Sequence, residues 1–159
     1  SSALKAWSPG PTRHLLVESR TTSPRALSPF KIQVRVYYED VDIGGVVYYA
    51  NYLRYFERAR SDWLRSHGVN QERLAAVEGI GFVVARAEID FKTGARLDDL
   101  LDVSVKVIEK KKTYFWLEQE AWRADGTPCA AARIQAVCVR HRDMRPQPIP
   151  EILSARLAA

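Results

Sequence analysis

Apolar and polar residues alternate between Phe30 and Val36, which predicts a strand with one buried face. Between Asn51 and His67 the apolar residues recur every three or four positions instead, which is the spacing of one face of a helix. Gly68 follows this stretch and is a suitable C-terminal cap. The apolar positions of the predicted helix are Tyr52, Phe56, Ala59 and Trp63.

The second half of the chain is rich in predicted strands. A short helix is expected first, from Gln71 to Glu78, with Asn70 as its N-cap and Gly79 as its end. One longer helix followed by consecutive strands with short turns between them predicts an α+β fold with an antiparallel sheet of about five strands. The later strands are predicted at Phe82 to Phe91, Leu101 to Val107, Thr113 to Arg123 and about Cys129 to Arg140, with a turn at Asp125-Gly126.

A chain of 159 residues is expected to form one domain. Residues 1–29 are rich in Ser, Pro and Arg, so we predict a partly disordered tail, residues 30–145 as the domain and residues 146–159 as an extension. The tail weakly resembles an organelle transit peptide in composition, but we expect a simple extension. A single helix covers only part of a five-stranded sheet, so we expect at least a dimer.

The charge and the apolar content narrow the function classes. The net charge is +5, but residues 1–29 carry four basic side chains and one acidic one, which leaves only +2 for the rest of the chain. Nucleic-acid binding by the domain is therefore a minor hypothesis. The sequence has neither an apolar run of 18 residues nor a signal-like apolar segment, so we expect a soluble, cytoplasmic protein without membrane insertion. Cys129 and Cys138 are expected to be unpaired thiols in a reducing compartment.

The segment from Tyr38 to Arg60 combines features that suit a catalytic site. Asp40 and Asp42 precede Gly44-Gly45, and a helix is expected to start near Tyr49. One reading is structural, because Asp often closes a turn in front of glycine. The functional reading is that a carboxylate faces the free N–H groups of the helix start, which suits attack on an activated carbonyl.

Other catalytic groups are scarce. The three histidines are dispersed, so no Ser-His-Asp triad is expected, and His and Cys show no metal-ligand spacing. A carboxylate with backbone donors requires a good leaving group, and thiolate qualifies because the pKa of a thiol is about 8.5. Glu57 on the helix is a second candidate carboxylate, with neighbouring arginines as its expected partners. Lys110, Lys111 and Lys112 form either a solvated turn or a phosphate-binding cluster.

The stretch YYEDVDIGGVVYYANYLRYFERAR resembles the signature of hotdog-fold acyl-CoA thioesterases of the 4-hydroxybenzoyl-CoA thioesterase and YbgC (Tol-Pal-associated) type. The resemblance covers roughly residues 30–144. It implies a sheet wrapped around one long central helix, homodimers that associate into dimers of dimers, and hydrolysis of acyl-CoA without a cofactor. It also implies that the catalytic pockets lie at the dimer interface.

The resemblance also implies roles for individual residues. Asp42 corresponds to the catalytic carboxylate, as nucleophile or general base, and the N–H of Tyr49 corresponds to the group that holds the thioester oxygen. Gly45 and Val46 correspond to the loop that shapes the pocket. Lys110, Lys111 and Lys112 correspond to the segment that binds the phosphates of coenzyme A.

Two questions stay open at the level of sequence. Many YbgC-type sequences have His where this chain has Tyr49, so the acyl group could be short aliphatic, long aliphatic or aromatic. The strongest alternative function is that of a non-catalytic hotdog-fold protein that contacts lipid-synthesis or Tol-Pal-associated envelope machinery, because a fold alone does not fix a function.

Overall fold

The computed structural model describes residues 29–157, so the predicted tail lies outside the described residues except for Pro29. All five predicted strands and both predicted helices are present, and most of their ends fall within two residues of the prediction. The elements are β1 (Phe30–Arg35), α1 (Asn51–Ser66), α2 (Gln71–Arg73, continued by a π-helical turn at Leu74–Glu78), β2 (Ile80–Phe91), β3 (Leu100–Lys110), β4 (Tyr114–Arg123), β5 (Pro128–Arg140), β6 (Arg145–Pro146) and α3 (Glu151–Arg156).

The strands form one antiparallel sheet in the order β1-β3-β4-β5-β2, with the short β6 paired to β5. Neighbouring strands β3, β4 and β5 are consecutive in the chain. The two outer strands are not: Phe30 of β1 pairs with Val105 of β3, and Ile80 of β2 pairs with Arg140 of β5. The sheet therefore has β1 at one edge and β2 at the other.

Helix α1 has 16 residues and packs on β1, β3 and β4. Tyr55, Phe56 and Ala59 are completely buried on its inner face, against Phe115 and Leu117 of β4 in the same core. Burial of a side chain such as Phe56 contributes about 1.5–3 kcal/mol. The packing of one helix on an antiparallel sheet confirms the predicted α+β class.

The ends of the helices follow the predicted signals. Gly68 adopts a left-handed φ of 80° after α1, and Gly79 does so with a φ of 65° at the end of the turn that continues α2. The Asn70 side chain accepts a hydrogen bond of 3.0 Å from the N–H of Arg73, as an N-cap does. Helix α1, however, begins at Asn51 and not near Tyr49, because Tyr49 and Ala50 form a turn before it.

The segment after β5 packs on the domain. Ile149, Leu153 and Leu157 are buried in the same core as α1 and the sheet. The N–H of Ile149 donates to the carbonyl of Lys112 across 2.9 Å, which joins this segment to the turn between β3 and β4. Within residues 29–157, no helix has the length and apolar character needed to cross a membrane.

Candidate active site

The loop between β1 and α1, residues 36–50, carries both acids that the sequence singles out; we call it the acidic loop. It is held against the connection between β2 and β3. The N–H of Val36 donates to the carbonyl of Asp99 (2.9 Å), and the N–H of Val47 donates to the carbonyl of Ala95 (2.8 Å). The acidic loop is thus fixed to this connection on both sides of Asp42.

Asp42 is exposed, and its backbone closes a tight turn. Its N–H donates to the carbonyl of Val46, its carbonyl accepts from the N–H of Gly45, and its Oδ1 accepts from the N–H of Gly44 at 2.8 Å. Its Oδ2 forms no hydrogen bond with any residue in 29–157. The carboxylate therefore serves the turn with one oxygen and presents the other to solvent.

The two glycines leave this carboxylate open. A Cβ at position 44 would lie 3.1 Å from Oδ1 of Asp42, which is tighter than an ordinary contact. Gly45 has a φ of +75°, a conformation that other residues adopt only with strain. Glycine at both positions thus keeps the turn tight and the carboxylate accessible.

Tyr49 lies seven residues after Asp42, on the other side of the turn. Its N–H forms no hydrogen bond with the described residues 29–157, so a donor is left available next to the start of α1. The pKa of Tyr48 is raised, first by the neighbouring Tyr49 and also by the charge of Asp42. The Asp42 carboxylate and the Tyr48-Tyr49 pair thus belong to the same exposed part of the acidic loop.

An exposed aromatic surface lies just before the start of α1. The ring of Tyr49 lies 4.9 Å from that of Tyr48 and 5.9 Å from that of Phe91 at the end of β2. Tyr52 joins this group to the interior. It is buried, its ring lies 5.9 Å from that of Phe91, and its hydroxyl accepts a hydrogen bond of 3.2 Å from the N–H of Ala95. Aromatic groups that remain half exposed suit contact with an apolar ligand or partner.

Sequence reasoning missed Phe91 and Arg96. Phe91 reads as the last residue of a strand, and Arg96 as one charge in a polar connection. In the structure, Val46 pairs with Arg96 in an isolated bridge, and Nη1 of Arg96 lies 3.8 Å from where a Cβ of Gly45 would be. A cation thus adjoins the acidic loop, and no local pattern in the sequence marks it.

A groove of about 550 Å³ runs between α1 and β2. It begins at Leu53 in the first turn of α1, four residues after Tyr49. Its apolar wall consists of Leu53, Val84, Ala87 and Ile134, and its polar rim includes Arg54, Glu57, Arg58 and Arg60. The groove offers an apolar group space along the first turns of α1.

The predicted partners of Glu57 are wrong. Among residues 29–157, no arginine lies within 4.0 Å of its carboxylate, and Oε1 instead accepts from the hydroxyl of Ser61 at 2.6 Å. The neighbouring arginines have other contacts. Arg58 lies over the ring of Tyr55, and Arg60 donates to Gln119.

The three lysines are separated from the acidic loop within one protomer. Lys110 ends β3, whereas the acidic loop contacts the residues that precede the start of β3; at about 3.3 Å per residue the strand spans roughly 30 Å between them. Lys110 donates from Nζ to the carbonyl of Ser154 (2.6 Å), and Lys111 lies 3.4 Å from Glu109. Lys112 is exposed, and its amine has no partner within residues 29–157.

Comparison with known proteins identifies the family of the chain. The model of the thioesterase-like superfamily matches residues 36–157. The chain belongs to the thioesterase-like superfamily. The predicted enzyme class, a thioesterase, is confirmed by curated relatives that are named acyl-CoA thioester hydrolases.

Curated relatives narrow the family. The chain is 38% identical over 126 residues to the acyl-CoA thioester hydrolase YbgC of Escherichia coli O6:H1, covering 79% of this chain and 93% of that protein. It is 40% identical over 126 residues to the acyl-CoA thioesterase YbgC of Haemophilus influenzae, covering 79% and 92%. The predicted resemblance to the YbgC type is therefore confirmed.

Solved structures share the fold. A probable thioesterase from Bartonella henselae superposes with a TM-score of 0.73 at 34% identity and covers 77% of this chain and all of that one. The 1,4-dihydroxy-2-naphthoyl-CoA thioesterase Slr0204 from Synechocystis reaches a TM-score of 0.76 at 24% identity, with 82% and 96% covered, and supports the fold alone. These thioesterase neighbours confirm the predicted hotdog fold.

Proposed function

We propose that this chain hydrolyses an acyl-CoA thioester to a carboxylic acid and free coenzyme A. The observation that carries the proposal is the exposed Asp42 carboxylate in a glycine turn of the loop that also carries the free N–H of Tyr49, in a chain related to YbgC acyl-CoA thioesterases. The reaction needs no cofactor, and coenzyme A enters only as part of the substrate.

In this proposal the thioester carbonyl oxygen accepts a hydrogen bond from the Tyr49 N–H. Removal of one such donor typically costs about 2.7–4 kcal/mol of transition-state stabilisation, so a single N–H makes a substantial contribution. Gly45 and Val46 form the adjoining wall, and the groove that starts at Leu53 receives the acyl group. The fit of a half-exposed aromatic surface and an apolar groove supports an apolar or aromatic acyl group.

Asp42 can act in two ways. As a nucleophile, its free oxygen bonds to the acyl carbon, the C–S bond breaks with its electron pair on sulfur, and water then hydrolyses the mixed anhydride. As a general base, it removes a proton from a water molecule that attacks the same carbon. Both routes release coenzyme A as a thiolate, which leaves without prior protonation because the pKa of a thiol is about 8.5.

The phosphates of coenzyme A are assigned to the lysine turn, residues 110–112, with Lys112 as the main contact because Lys110 and Lys111 already have partners. Roughly 30 Å of strand separates this turn from the acidic loop of the same protomer. We therefore propose a homodimer in which the lysine turn of one protomer serves the acidic loop of the other. Strand β2 supports self-association, since within residues 29–157 it pairs only with β5 and its outer edge is open.

We further propose that two such dimers associate into a tetramer and that the protein acts in the cytoplasm. Analytical ultracentrifugation would separate a dimer from a dimer of dimers. A monomer at assay concentration that turns over substrate at the full rate would contradict the shared site.

The proposed activity is tested by release of free thiol from short aliphatic, long aliphatic and aromatic acyl-CoA substrates. Asp42→Asn should lower kcat by roughly 10²–10⁴-fold, because a side-chain amide neither attacks the acyl carbon nor removes a proton from water. Asp125→Asn is a matched control, because Oδ1 of Asp125 also accepts from an N–H two residues later, that of Thr127 at 2.9 Å. Full activity of Asp42→Asn would contradict the mechanism, and no turnover of any substrate would favour the non-catalytic interaction protein.

A further inference from the structure

Asp40, the other of the two aspartates in the acidic loop that the sequence singles out, is buried, whereas Asp42 is exposed. Only 7% of Asp40 is accessible, and it forms no ion pair with any described residue in 29–157. A buried carboxylate without a cation must be satisfied by hydrogen bonds. The partners of Asp40 therefore show what its burial achieves.

These partners lie at the two ends of the acidic loop. Oδ2 of Asp40 accepts from the N–H of Tyr37 (2.8 Å), close to the end of β1. The backbone carbonyl of Asp40 accepts from the N–H of Tyr48 (2.8 Å) and from Nδ2 of Asn51 (3.1 Å), and Oδ1 lies 3.4 Å from the same Nδ2. One residue thus joins the entry of the loop to its exit and to the first residue of α1.

Tyr49 lies between the two residues that are fixed in this way. Tyr48 is held by its N–H, Asn51 by its side-chain amide, and the N–H of Asn51 donates to the carbonyl of Tyr48 at 2.8 Å. The peptide unit that carries the Tyr49 N–H is therefore anchored through its own carbonyl, that of Tyr48, and the preceding unit through the N–H of Tyr48, without using the Tyr49 N–H. Asp42 lies on the segment that Asp40 closes, so the same contacts hold its carboxylate relative to the donor.

We infer that Asp40 and Asn51 are positioning residues, which hold the Tyr49 N–H and the Asp42 carboxylate in a fixed relation for the reaction. This inference rests on the proposed function. Neither residue takes part in bond making; a donor or carboxylate held out of place loses much of its effect because the geometry of the reacting groups is strict. We call this pair the Asp40-Asn51 clasp.

The test is Asn51→Ala, with Asn51→Leu as a variant of similar size that removes the donated hydrogen bonds without adding a charge beside the Asp40 carboxylate. We expect kcat to fall roughly tenfold to a hundredfold while KM changes less than twofold, because the clasp touches no substrate. Asp40→Asn should have a similar effect, and the double variant Asp40→Asn with Asn51→Ala should lose little more than either single variant, since both belong to one network.

Asn70→Ala is the matched control, because Asn70 also makes a side-chain hydrogen bond at the start of a helix but lies outside the acidic loop. It should lower the Tm about as much as Asn51→Ala and leave kcat unchanged. An unchanged kcat in Asn51→Ala, or an equal loss in Asn70→Ala, would overturn the inference.

Hydrogen exchange measured by mass spectrometry separates this inference from the proposed function. Asn51→Ala should speed exchange in peptides covering residues 44–52 and leave peptides from β4 unchanged. This measurement needs no turnover, so it tests the clasp even if Asp42→Asn proves fully active and the proposed mechanism fails. Unchanged exchange across residues 44–52 would show that the clasp does not hold the loop.

Discussion

Nη1 of Arg60 on α1 donates a hydrogen bond of 2.9 Å to Oε1 of Gln119 on β4. Gln119 is completely buried, and its amide nitrogen donates in turn to the carbonyls of Phe56 (3.0 Å) and Ser104 (3.3 Å). Burial lowers the pKa of Arg60, which still remains charged. One side chain thus satisfies a partly buried cation and two backbone carbonyls between helix and sheet.

Gln119→Leu should therefore destabilise the protein by about 3 kcal/mol, because it removes the acceptor of the partly buried guanidinium and the hydrogen bonds donated to both carbonyls. The free energy of unfolding from urea titration measures this loss. Gln135→Leu on β5 is the control: its side chain makes no hydrogen bond within residues 29–157, and the change should stay within about 0.5 kcal/mol. Equal losses in both variants would mean that the Arg60 contact contributes nothing specific.

Gly45→Ala should reduce both stability and activity. The left-handed φ of +75° costs an alanine about 1–2 kcal/mol, and the strain is relieved by a shift of the turn that carries Asp42. Gly126→Ala in the turn before β5 carries the same penalty, at a φ of +86° with open space around it. Urea titration should show similar losses, whereas kcat should fall only in Gly45→Ala. A fall in kcat for both would point to a general effect of instability.

The lysines of the turn should have different roles, with Lys110 contributing to stability and Lys112 to substrate binding. Lys110→Ala should lower stability by about 1–2 kcal/mol, because its amine holds the carbonyl of Ser154 in α3. Lys112→Ala should raise KM for acyl-CoA about threefold to tenfold and leave KM unchanged for a thioester that lacks the nucleotide. The same shift of KM for both substrates would contradict a phosphate contact at Lys112.

The stability of the protein should fall in alkaline solution. Burial, and then the charge of Glu78, raises the pKa of the Cys138 thiol to about 11, whereas a thiol in the unfolded chain has a pKa near 9. Only the unfolded chain releases this proton between these two values, so the contribution to stability is complete below about pH 9 and is lost as the pH rises to about 11. Urea titrations between pH 8 and 11 should show a shallower decline for Cys138→Ala than for the native chain; parallel curves would exclude this thiol as the cause.

The elements were predictable because their signals are local. The alternation around Ile32 and the three-and-four spacing around Phe56 depend only on which face of a strand or helix is buried. The glycine turn after Asp42 and the caps at Asn70 and Gly79 are local for the same reason. The start of α1 differed by two residues because the Tyr48 carbonyl, held beside Asp40, accepts the N–H of Asn51 and leaves Tyr49 in a turn.

The relations between elements were not predictable from spacing. Which of Asp40 and Asp42 is buried depends on contacts with Tyr37 and Asn51, at the two ends of the loop. The proximity of Arg96 to Gly45 and the separation of Lys112 from Asp42 follow from a strand order that differs from the sequence order. The spacing of apolar residues within a strand does not predict which strand will be its neighbour in the sheet.

The pairing of β1 with β3 also determines what a ribosome exposes while it makes this chain. Residues 30–66, which contain β1, the acidic loop and α1, are complete before any residue of β3 has been synthesised. Until then the inner face of α1, with Tyr55, Phe56 and Ala59, has no sheet to cover it. During synthesis, the apolar surface that later forms the core is thus exposed to chaperones and to other nascent chains.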